Sequence, residues 1–104
     1  MQIVNRIVLY HTVTEVKEGD EFYEISLSKD TVSGAVPYVF DRFHCLAGHL
    51  PPHPEKLQPE FQKKFTTVQE ATEYFDESLR LLVEGGFVQY DPHLHGQERP
   101  FNSR

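Results

Sequence analysis

His44, Cys45, His49 and His53 form the densest group of metal-binding and nucleophilic side chains in the chain, and His93 and His95 follow near its end. Imidazole and thiolate are natural zinc ligands, and a structural zinc site takes four of them in a tetrahedral array. Cys45, His49 and His53 with one of the later histidines would supply that number. Their spacing matches no known zinc pattern, and His49 and His53 fall in a proline-rich stretch where histidines are more often solvated than ligating.

Cys45 paired with a histidine would also be a nucleophile if a cation or a helix N-terminus stabilised its thiolate and a third group oriented the base. No helix N-terminus or Gly-rich turn accompanies it in sequence. Cys45 alternates with Val39 and Phe43 in a strand-like run, the usual setting of a packing cysteine. No P-loop, dinucleotide-binding glycine pattern, nucleophile elbow or paired His-Glu motif is present. The chain is therefore read as non-catalytic and without a cofactor. A small metal-binding or enzymatic protein using the His/Cys group is kept as an alternative.

A different chemistry sits on the same run. Over residues 36–46, Tyr38, Phe40, Arg42 and His44 share one face, and Val39, Asp41, Phe43 and Cys45 the other. Stacking rings beside a forked guanidinium suit nucleic acid, phosphate or a peptide carboxylate. Lys63 and Lys64 are the main basic cluster and would extend such a strip. The plainer alternative is that the rings pack and Arg42 pairs with a carboxylate such as Glu24, because aromatic residues on strands are usually packing residues.

Charge limits the partners. The chain has 104 residues and a formal net charge of −6, and such a surface repels phosphate backbones and anionic membranes unless cations cluster locally. Nucleic acid is thus a disfavoured partner and another protein the favoured one. No apolar run approaches the ~18 residues that span a membrane, and the opening residues lack the features of a signal peptide. A single cysteine allows no internal disulfide, and together these features predict a cytoplasmic protein.

The elements that must position these residues follow from periodicity. Residues 3–16 alternate and are rich in β-branched side chains, which predicts a strand with Ile7, Leu9, His11 and Val13 on one face. Residues 22–29 alternate more cleanly: Tyr23, Ile25 and Leu27 face a core, while Glu24, Ser26 and Ser28 face water. Residues 36–46 are a third strand that Pro37 should open, and residues 61–65 a short fourth, with Phe61 and Phe65 opposite Lys64. Between them, residues 47–60 hold four prolines and read as a long surface loop of polyproline character, a stiff solvated segment or a docking motif for a proline-recognising partner.

The helix is the most fully specified element. Thr67 and Glu70 form a capping box. Val68, Ala71, Phe75, Leu79 and Leu82 make one apolar stripe. Asp76 and Arg80 are spaced to pair on the outer face, and Gly85-Gly86 supplies a left-handed stop before Phe87. Residues 91–104 have little to bury and are expected to fray. The result is one α+β domain over residues 1–90: an antiparallel sheet of about four strands with one main helix packed on it, followed by a tail. An edge strand left open could pair with a second copy.

Three strands followed by a capped helix that ends in Gly-aromatic resemble the WGR domain. The family's Trp-Gly-Arg triplet is similar to Phe40-Asp41-Arg42. Its run into the helix is similar to Phe65-Thr66-Thr67-Val68-Gln69-Glu70-Ala71 with Phe75, and its closing Gly-Tyr to Gly86-Phe87. The resemblance covers about residues 5–90. It implies a nucleic-acid-binding module in which Phe40 stacks, Arg42 meets DNA or a neighbouring domain, and Lys63 and Lys64 assist. From the residues themselves, the expected role is a small non-catalytic interaction module.

Overall fold

The computed structural model describes residues 2–11, 17–30, 34–48 and 58–90. Strands β1 (Gln2–Tyr10), β2 (Glu21–Lys29), β3 (Tyr38–Leu46) and β4 (Phe61–Phe65) precede helix α1 (Val68–Glu84), and a two-residue strand β5 (Val88–Gln89) follows it. The strands form one antiparallel sheet in the order β4-β3-β2-β1-β5. The α+β architecture expected from the sequence is present, with five strands rather than about four. The fifth escapes a periodicity argument because two residues carry no period. It exists because Val88 and Gln89 pair with Tyr10 and Leu9, and the Tyr90 amide donates to the Val8 carbonyl at 2.7 Å.

Alternation assigns each strand's side chains to two faces. On the helix side, Leu9, Ile25, Leu27, Phe40 and Phe65 are buried with Ala71 and Phe75 of α1, and Tyr74, Leu79, Leu82 and Phe87 pack around them. Burying rings and aliphatic chains of this size contributes about 1.5–3 kcal/mol each before chain entropy is counted. Pro37 lies just ahead of β3, where its missing donor removes no ladder bond, and its carbonyl accepts from the Asp30 amide at 2.7 Å beyond the paired ends of β2 and β3.

The opposite face departs from the expectation. Glu24, Ser26 and Ser28 are not wet; they are 0, 3 and 2 % exposed. β2 is the central strand, and beside these residues Val8, Tyr10, Phe22, Phe43, Cys45 and Ala47 form a second buried cluster with Tyr90 packed on it. Short serines are easily buried, and the one charge is met by Arg6, whose Nε lies 2.7 Å from Glu24 Oε1. Polarity in an alternating pattern therefore marked the ends of an ion pair and two small residues, not solvent.

The helix begins as its cap dictates. Thr67 is extended, and its Oγ1 accepts from the Glu70 amide at 3.2 Å. The reciprocal contact runs from the Thr67 hydroxyl to the Glu70 carboxylate, also 3.2 Å, rather than from the cap amide. At the other end, Phe87 N donates to Leu82 O and Gly86 N to Val83 O, the paired bonds of a Schellman stop. Gly86 takes the left-handed position at φ +100°, which a residue with a Cβ enters only under strain. This stop turns Phe87 back over the sheet.

Two expected helix features are corrected. Arg80 pairs with Glu77 and, at 2.6 Å, with Glu84, not with Asp76. Three carboxylates lie within reach of one guanidinium along the helix, and spacing alone does not choose among them. Val68, placed in the apolar stripe, is exposed in the first turn. No helix among the described residues is long and apolar enough to cross a membrane.

Candidate functional site

The register of β2 and β3 places Tyr23 opposite His44 and Ile25 opposite Arg42, while β4 sets Phe61 opposite Arg42. All project on the helix side. The rows through Leu27 and Phe40 belong to the core beneath α1, but Arg42 and His44 keep about a third of their side-chain surface exposed. A strip of rings and charges is thereby held at one end of the sheet.

Its parts fix one another. Arg42 Nε donates to Glu60 Oε2 at 2.8 Å, and its guanidinium carbon lies 5.3 Å from the centre of the Phe61 ring. The His44 imidazole stacks on Tyr23 with centroids 4.6 Å apart and planes 26° from parallel, and its Nε2 is 3.6 Å from Glu21 Oε1. Phe87, delivered by the Gly86 stop, meets Tyr23 edge-on at 5.0 Å and His11 at 4.9 Å. Ring pairs at these separations contribute about 0.5–1.5 kcal/mol each beyond their buried area. They also brace partly exposed side chains against one another.

The sequence-predicted residues divide accordingly. Arg42 and His44 meet in the strip. Tyr38 lies on the same face but three rows from Tyr23, with Lys29 Nζ 5.7 Å from its ring centre. Phe40 is fully buried, edge-on to Tyr74 at 5.0 Å, and offers no ring face to a ligand. Lys63 and Lys64 point to opposite faces: Lys63 lies over Tyr74 at 5.0 Å, whereas Lys64 pairs across from Val39 on the far side. The carboxylate that meets Arg42 is Glu60, not Glu24, which lies across the sheet.

Cys45 is buried in the second cluster and faces away from His44, so the sheet separates this thiol from that imidazole. His49, His53, His93 and His95 lie outside the described residues, as do most of the proline-rich loop and the tail. Among the described residues, no group of three or more His, Cys, Asp or Glu side chains is gathered as a metal ion would need.

Tyr23, Phe61, Glu21, Glu60 and Phe87 were not expected at this site. The signal for Tyr23 lay in its cross-strand register with His44, which no single segment carries. Its environment is chemically distinct. Burial pushes the Tyr23 phenol above its ordinary 10.0; Glu60 and Glu21 push the same way, and Arg42 opposes them. A tyrosine pKa raised by folding contributes stability that is complete below the unfolded-state value and is lost as pH rises through the folded one. A difference absorbance titration of the protein against Tyr23→Phe should place this phenol above pH 10.0, and Glu60→Gln should bring it down. Titration at or below the ordinary value would mean that burial and the two carboxylates together do not outweigh Arg42.

No family model, curated protein or solved structure matches the chain.

Proposed function

We propose that this protein is a small non-catalytic interaction module of the cytoplasm, and that it binds another protein through the strip centred on Arg42 and His44. The observation that supports this most directly is the set of oriented, partly exposed rings, with Tyr23 stacked on His44 and Arg42 over Phe61. Aromatic and arginine side chains held rigidly at a surface lose little entropy on association and dominate the energetics of protein interfaces. Edge-to-edge pairing of two copies along β4 is a poorer fit, since it would bring Lys63 and Lys64 of both chains together.

The WGR-type alternative assigns nucleic-acid binding to Phe40, Arg42, Lys63 and Lys64. Arg42 and Lys63 do share a face, which favours it. Phe40 is core, Lys64 points away, and Glu60 already neutralises Arg42, so cations do not converge as a phosphate backbone requires.

One experiment separates the readings. A photo-crosslinking residue placed at His44 should yield a discrete protein adduct in cells, absent when the probe sits at Glu73 on the outer helix face and lost on adding Arg42→Ala. Equal labelling from both positions would remove the proposal. Saturable, salt-sensitive binding of a labelled nicked DNA duplex, abolished by Arg42→Ala, would replace it with the nucleic-acid reading.

A further inference from the structure

The protein's own Arg42 shows how this surface holds a guanidinium: ring face beneath at 5.3 Å and carboxylate alongside at 2.8 Å. A neighbouring part of the strip repeats the pairing. Tyr23 and His44 form a stacked ring pair, and Glu21 stands beside it, 3.6 Å from His44 and nearly half exposed. With Glu60 matched by Arg42 at 2.8 Å, Glu21 adds a further negative charge beside the ring pair. The whole chain carries a net charge of −6, which draws cationic partners and slows anionic ones.

Resting on the interaction reading above, we propose that the partner presents an arginine-bearing segment, and that one of its guanidinium groups docks over the Tyr23–His44 pair with Glu21 as its counter-ion. A planar guanidinium can stack on the rings and fork onto the carboxylate together; a lysine ammonium is compact and strongly hydrated and satisfies only the charge. An acidic or phosphorylated segment would face Glu21 and Glu60 and be repelled. Phe87, edge-on to Tyr23, walls one side of the seat and keeps the approaching group partly out of water.

The test uses the whole chain and labelled Gly-Arg-Gly-Arg-Gly-Arg-Gly, with lysine and glutamate counterparts, in anisotropy titrations at moderate salt and by amide NMR. The arginine peptide should bind saturably, shift the resonances of Glu21, Tyr23 and His44, and exceed the lysine peptide several-fold. Glu21→Gln should weaken it roughly tenfold, the scale of one lost charge-assisted hydrogen bond, whereas Glu73→Gln should leave it unchanged. Equal binding of arginine and lysine peptides, equal losses from the two glutamine substitutions, or no binding at all would overturn the proposal. If the arginine peptide fails while the His44 probe still gives its site-specific adduct, the interaction reading stands and only the arginine assignment falls. If both fail, so does the reading beneath it.

Discussion

Phe40→Ala is expected to lower the unfolding free energy by about 3–5 kcal/mol, the range for deleting a buried ring that its surroundings cannot collapse to refill. Phe40 is 0 % exposed between sheet and helix. It meets Tyr74 at 5.0 Å, Phe75 at 6.3 Å and Phe61 at 6.4 Å, each edge-on. Three ring contacts from α1 and β4 thus converge on one side chain of β3. Removing it leaves a void that only a shift of the helix could close, and Phe61, on which Arg42 rests, would lose a neighbour. A loss of this size is a large part of the roughly 5–15 kcal/mol that holds a domain folded. Urea unfolding followed by far-ultraviolet circular dichroism measures it directly. If Phe40 were instead a surface ring used for stacking, the substitution would cost well under 1 kcal/mol and act only on binding; that outcome would reassign β3's register.

How far these residues could be read in advance depended on how local their causes are. The two ends of the helix were legible because its cap and stop are each set within a few residues: Thr67 meets Glu70, and Gly86 takes a backbone conformation that its own lack of a Cβ permits. Between them, the exposure of Val68 and the choice of Glu77 and Glu84 by Arg80 were not. The face assignments of Tyr38, Phe40, Arg42 and His44 were legible for the same reason, since alternation is a property of one strand. What sits opposite each face was not. Phe40 and Arg42 occupy equivalent positions in the pattern, yet one is core and the other is about a third exposed, because the ring contacts from α1 reach the first and not the second.

Partners were harder still. Arg42 could have reached any carboxylate brought to its face, and Glu60 does so because its amide donates to the Arg42 carbonyl at 2.7 Å, locking the start of β4 beside β3. Tyr23 joins His44 through a register that only the assembled sheet defines. β5 depends wholly on β1 for its existence. In each case the missing information is a long-range pairing, which a single segment's propensity does not contain.

The same limit explains Glu24, the residue whose environment differs most from what its neighbours in sequence suggest, and it carries the second large prediction. Arg6→Ala is expected to destabilise the protein by about 3–5 kcal/mol, because it removes the cation beside a carboxylate with no exposed surface. Arg6 Nε is 2.7 Å from Glu24 Oε1, though its N–H is not aimed as a directed hydrogen bond, so the contact acts mainly as an ion pair. Val8 lies opposite Glu24 on β1 and Phe43 opposite it on β3, and both belong to the buried cluster that holds Tyr10 and Phe22. In such surroundings a carboxylate that loses a counter-charge bears more of its desolvation cost. The double substitution Arg6→Met with Glu24→Leu should be far milder than Arg6→Ala alone, since well-packed apolar groups often replace a buried ion pair without loss. Chemical unfolding of the three proteins decides the matter. If Arg6→Ala costs no more than the double substitution, charge pairing is not what allows an acidic residue to sit at the centre of this sheet.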